Sequence, residues 1–158
     1  MVLLSLLLAA CSAAGNSGGS SEKPAEPRNL RVERISSGAP GQGPQRQRVV
    51  VAPSAQALSR ELGVEIPNSG EGIYLISYWG MKPTGGYSLA VESARLEGKL
   101  VTVRLRLKEP PPDAMVTQAL TYPYAAAVVQ DVSLRGKEFS FVDQHGRKLG
   151  WPVRKMSG

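Results

Sequence analysis

Residues that bear reactive chemistry are scarce in this 158-residue chain, which holds one cysteine and one histidine. A single cysteine excludes a disulfide within the chain, so the fold must stand on core packing. Zinc sites draw three or four ligands from His, Cys and acidic residues at suitable spacing, and the sequence offers no such set. No acidic cluster resembles a calcium loop. Ser17-Gly-Gly-Ser20 lacks the Gly-Lys-Ser/Thr and the preceding strand of a phosphate loop. A bilayer span needs roughly 20 apolar residues; residues 2–10 are too few, and no other stretch qualifies. The lone His145 sits in a Gly-containing turn beside Arg147 and Lys148, and no serine lies in a nucleophile elbow. These absences point away from an enzyme, and no cofactor, metal or small-molecule substrate is expected.

What the chain does have is an ordinary globular balance, 42% hydrophobic and 20% charged, enough for one domain with its own core. Its formal net charge is +6. The cations are scattered, as at Arg46, Arg48, Arg104, Arg106, Arg135, Arg147 and Arg154. No run resembles a nucleic-acid arm. A solvated surface that tolerates anionic lipid headgroups, or one that meets an acidic partner, accounts for them.

The cysteine's position is informative. Leu8-Ala9-Ala10-Cys11 ends an apolar run and resembles a bacterial lipobox, where a signal peptidase cuts before the cysteine. Cys11 is then the lipid attachment site, residues 1–10 are a signal peptide, and acylation holds the body at a membrane. The thiol is the only strong nucleophile there, and two small residues precede it. A plain cleaved export signal or a buried free thiol are the alternatives. No Lys or Arg precedes the run, a departure from the pattern. Ser12, a non-aspartate, implies by the same resemblance export to the outer membrane; the outer face of the cell membrane is the other address.

Residues 11–29 are rich in Gly, Ser and Pro and read as a flexible tether; residues 30–158 form the domain. Strands are expected at 30–35 and 48–51, with a loose loop at 36–47 between them. A short helix follows over 55–62, with Ser54 as N-cap and Gly63 as its stop. Residues 73–79 are β-branched and aromatic. Residues 87–107 read as a hairpin about Glu97-Gly98-Lys99, since Val101, Val103, Leu105 and Leu107 alternate with Thr102, Arg104 and Arg106. Pro110-Pro-Pro112 stops the ladder. A strand at 125–132 and a closing hairpin of 139–142 with 149–154 complete a mainly β fold, an antiparallel two-layer sandwich or an open barrel with one short helix.

Trp79-Gly-Met-Lys-Pro-Thr-Gly-Gly-Tyr87 is the sharpest local feature. Pro83 pre-sets one backbone angle, and Gly85 and Gly86 permit angles that other residues avoid. The loop should turn sharply, leaving Met81, Lys82 and Thr84 little room to be buried. It is either a plain tight turn, whose amides at Gly85-Gly86 could form an anion nest, or a partner-binding loop. Residues 112–124 are apolar without periodicity. They suit a buried connection between sheet layers, packed by Met115, Leu120 and Tyr122, or else a binding surface.

Gly80-Met-Lys-Pro-Thr-Gly-Gly-Tyr87, Lys108-Glu-Pro-Pro-Pro112 and Met115-Val-Thr-Gln-Ala-Leu-Thr-Tyr-Pro-Tyr124 together resemble the PrcB C-terminal-domain family, over about residues 73–130. That family is named for an accessory subunit of a bacterial surface protease complex, and its members are often exported or lipoproteins. The resemblance implies binding rather than catalysis and carries no catalytic residue across. Pro83-Thr-Gly-Gly-Tyr87 is also similar to a loop of chagasin-type cysteine-protease inhibitors, with a fainter likeness at Gly150-Trp151-Pro152. The expected function is a lipid-anchored, non-enzymatic module of the cell envelope that stabilises or assembles an exported protein partner, a protease. Its binding loop would be Met81, Lys82, Pro83, Thr84, Gly85, Gly86 and Tyr87, supported by Trp79. Direct protease inhibition and a structural envelope lipoprotein are the alternatives.

Overall fold

A computed structural model describes residues 26–157. Cys11, the expected signal segment and most of the expected tether lie outside the described residues. Nine strands are assigned: β1 (Arg28–Leu30), β2 (Val32–Gly38), β3 (Arg48–Ala52), β4 (Ile73–Tyr78), β5 (Ser88–Glu97), β6 (Leu100–Lys108), β7 (Tyr124–Val129), β8 (Glu138–Val142) and β9 (Val153–Lys155). One helix, α1 (Ala55–Leu62), follows β3. The strands form a four-stranded sheet in the order β1-β5-β6-β8 and a five-stranded sheet in the order β2-β7-β4-β3-β9. Facing one another they make a sandwich, and neither closes into a barrel.

β6 shows how alternation positions a strand. Val101, Val103 and Leu105 are buried, and Arg104 and Arg106 face solvent. β4 differs, because all six of its residues are buried. Ile73 and Leu75 join the core between the sheets, with Val51, Val91, Val103, Leu134 and Phe141. Tyr74, Ile76 and Tyr78 face the other way, into a second core with Leu58, Ala55 and Ile66. The helix therefore covers the outer face of the five-stranded sheet, a third layer over the expected two. Ser54 caps α1 by accepting from the Ala57 N–H at 3.2 Å, and Gly63, at φ 67°, ends it in the left-handed conformation.

Four expectations need correction. The closing hairpin does not form: β8 runs parallel to β6 and β9 parallel to β3, so the two strands lie in different sheets. Both sheets are accordingly mixed rather than antiparallel. A single bridge between Val142 and Lys148 is all that remains of the hairpin. The first strand is two strands, since the chain changes sheets at Arg31, whose carbonyl accepts from the Gln130 N–H. It starts at Arg28, inside the expected tether, and extends to Gly38, inside the expected loop. The strand after residue 124 ends at Val129, and Val132–Leu134 is a 3-10 turn capped by Asp131.

Candidate functional site

Register brings the loops together. Tyr78 pairs with both Arg48 and Tyr124, and Gly38 pairs with Tyr124, so the loops 39–47, 79–87 and 109–123 leave the same end of the sandwich. There they bond to one another. Lys82 and Thr121 exchange both backbone hydrogen bonds, at 2.8 and 3.0 Å. The Gly85 N–H donates to the Thr117 carbonyl, and the Thr121 hydroxyl donates to the Thr84 carbonyl at 2.7 Å. On the other flank the Met81 N–H reaches the Gln45 carbonyl, and the Tyr122 N–H reaches that of Pro40. The motifs at 80–87 and 115–124, far apart in sequence, form one ribbon.

Glycine is needed here for space. A Cβ on Gly85 would overlap the Thr117 hydroxyl, and one on Gly86, at φ 86°, would stand 2.8 Å from Pro110 Cβ. Close approach of the two backbones is therefore built into the sequence. The Gly85 amide is spent on the Thr117 carbonyl and so is not open to an anion.

Trp79 is buried at the base of the ribbon, and Tyr87 meets it edge-on with ring centroids 5.6 Å apart. The Lys82 ammonium lies 4.2 Å from the Trp79 ring centroid and 5.4 Å from that of Tyr87. The ring faces attract the cation and hold the loop to its base. Burial lowers the Lys82 pKa, opposed by the charge of Glu109.

Period two then sorts the side chains. Lys82 and Thr121 turn inward, while Met81 and Leu120 turn outward, 46% and 50% exposed. Met115, at 103%, is fully exposed. The expected buried connection at 112–124 is thus wrong, as is the packing role of Met115 and Leu120. The segment is anchored by Thr117 and Thr121, and Tyr122 is half-buried. Nor are Lys82 and Thr84 free: both are half-buried and Gly85 is buried, leaving Met81, Pro83 and Gly86 as the exposed part of the loop. Sequence reasoning missed Thr117, Thr121 and Gln45. Of these only Thr121 bonds the loop through its side chain; Thr117 and Gln45 act through their backbone carbonyls, which no residue type in the sequence marks.

The neighbouring turn holds His145. Its N–H and that of Arg147 both donate to Asp143 Oδ1 at 2.9 Å, and Arg147 Nε donates to Oδ2 at 2.7 Å. Burial pushes the Asp143 carboxyl up, but these donors outweigh it and hold the pKa below its ordinary value. His145 is an exposed turn residue whose described bond is made by its backbone. Gln144 clamps the edge of β6 by bonding both the N–H and the carbonyl of Leu107 at 3.1 Å.

No curated protein and no solved structure matches the chain significantly. Residues 73–130 match the family described as PrcB C-terminal, a span that opens on β4, closes one residue past β7 and contains both halves of the ribbon. Over that span, a little over a third of its length, the chain is similar to the PrcB C-terminal family.

Proposed function

We propose that this chain is a non-enzymatic accessory module, anchored through acylated Cys11 on the extracytoplasmic side of a bacterial envelope, that stabilises or assembles an exported protease. The observation that carries the reading is the ribbon: a stiff platform, locked by backbone bonds and the Lys82–Trp79 contact, with Met81, Met115 and Leu120 facing solvent. Rigid backbone with outward apolar anchors costs little to order on binding. Methionine adapts to irregular partner surfaces. Support for a protease as partner comes from the family match, whose name is that of a protease-complex subunit. An inhibitory loop inserted into a cleft is the weaker reading, because Gly85 and Thr84 are already committed to residues 117–121.

Affinity recovery from detergent-solubilised envelopes tests this, with the native chain and a Met115→Asp, Leu120→Asp double variant as baits. Both sites are exposed, so the fold should survive. The expected result is a protease held by the native bait alone, which loses activity faster in cells lacking this chain. Recovery of the same proteins with both baits rejects the platform. Mass spectrometry of the mature N-terminus tests the anchor separately; an unmodified Cys11 would remove it.

A further inference from the structure

The end of the sandwich away from the ribbon is built differently. The seam between the sheets stays open there, where β3 ends and β8 begins, as a groove of about 460 Å³. Val51, Ile73, Leu134, Phe139 and Met156 give it an apolar lining. Arg135, Lys137 and Lys155 also line it, and no carboxylate does. None of the three cations has an acidic partner within 4.0 Å among the described residues; Lys137 Nζ donates to the Gly98 carbonyl and Lys155 Nζ to that of Lys137. Unpaired charge at the mouth of an apolar recess favours a ligand with an anionic head and a hydrocarbon tail.

The chain enters at this same end. Arg28 pairs with Leu96 beside the Glu97–Lys99 turn, and its guanidinium bonds Asp131 and Ser133 just before Leu134. The first described strand therefore begins at the groove end of the sandwich and opposite the ribbon. We infer that the groove seats one acyl chain of an anionic phospholipid, with its phosphate on Arg135, Lys137 and Lys155. The choice of a membrane lipid rests on the proposed anchor. The preference for an anionic amphiphile rests on the groove's own residues and can fail independently.

The test titrates dihexanoylphosphatidylglycerol and dihexanoylphosphatidylcholine, each below its micelle concentration, into the full chain and follows backbone amide shifts. The expected result is saturable 1:1 binding at residues 134–139 and 155–156, at least about tenfold tighter for the anionic lipid. Arg135→Glu with Lys137→Glu, at a surface turn, should abolish that preference, and Met156→Asp should weaken both lipids. Absence of saturable binding, equal affinity for the two headgroups, or indifference to the charge reversal would each overturn the inference. Whether Cys11 is acylated is read from the N-terminal mass and does not enter these outcomes.

Discussion

The two ends of the sandwich solve opposite problems. At the ribbon end three loops must leave the sheets without stranding buried backbone groups, and they do so by bonding to one another. Glycine at 85 and 86 and threonine at 117 and 121 let two backbones approach, and the apolar side chains that remain are turned outward. At the other end the sheets part, so apolar side chains line a recess and the cations stand at its mouth. One end is closed by hydrogen bonds and displays grease; the other is open and hides it. If that contrast is right, the two ends should fail in different ways.

The largest effects come from truncating the buried side chain that floors each end. Trp79→Ala removes the base of the ribbon and should cost about 3–5 kcal/mol. Leu134→Ala, beneath the groove, should cost about 2–5 kcal/mol. Denaturant midpoints measure both. The contrast predicts that Trp79→Ala also speeds hydrogen exchange at Gly85 and Thr121, while Leu134→Ala leaves those amides protected. Equal loosening at both ends would mean the sandwich opens as one body. A smaller effect, about 1–3 kcal/mol, is expected for Gly85→Val, which forces a side chain against Thr117. Near-native stability for that variant would show the ribbon to be slack.

How far these ends were readable follows from the range of the signals. β6 could be read because its alternation is local, and α1 because Ser54 and Gly63 sit at its two boundaries. The Trp79–Tyr87 loop was legible from its proline and glycines. Its partner segment was not: residues 112–124 have no period, and nothing local says that threonines, rather than Met115 and Leu120, hold them down. The parallel pairings β6–β8 and β3–β9 were hidden for a related reason. Two short strands close in sequence suggest a hairpin, and only the distant β3 and β6 draw them into separate sheets. β4 is apolar at almost every position, which announces burial on both faces without naming the helix that covers one of them.

At the groove end, the cap of α1 offers a milder test. Ser54→Ala leaves the Ala57 N–H without its acceptor and should cost about 1 kcal/mol, seen as a small drop in the unfolding midpoint. Ser54 also lines the groove. Lipid that binds the native state should raise the unfolding midpoint of Gly85→Val as much as that of the native chain, because its groove is intact, and should raise that of Ser54→Ala by less, because the start of α1 beside the groove is loosened.

Acid should distinguish the ends most finely. Asp131, at the groove end, is held below its ordinary pKa chiefly by the Ser133 hydroxyl, with the Ser133 N–H and Arg28 adding to it. Asp143, at the ribbon end, is pushed up by burial but held down by the donors of Arg147 and His145. A carboxyl whose folded pKa is depressed stabilises the fold above its unfolded value and loses that contribution as pH falls through the folded one. Both turns should thus be intact at neutral pH and loosen only below about 4, the ordinary carboxylate range. Amide shifts of Ser133 and Arg147 followed from pH 6 to pH 2 should each move with a midpoint below 3.8, the ordinary aspartate value. Asp143→Asn should abolish the acid-induced movement of the Arg147 amide and leave that of Ser133 unchanged. Loss or displacement of the Ser133 titration in that variant would mean that the ends communicate through the sheets, and the division between them would have to be given up.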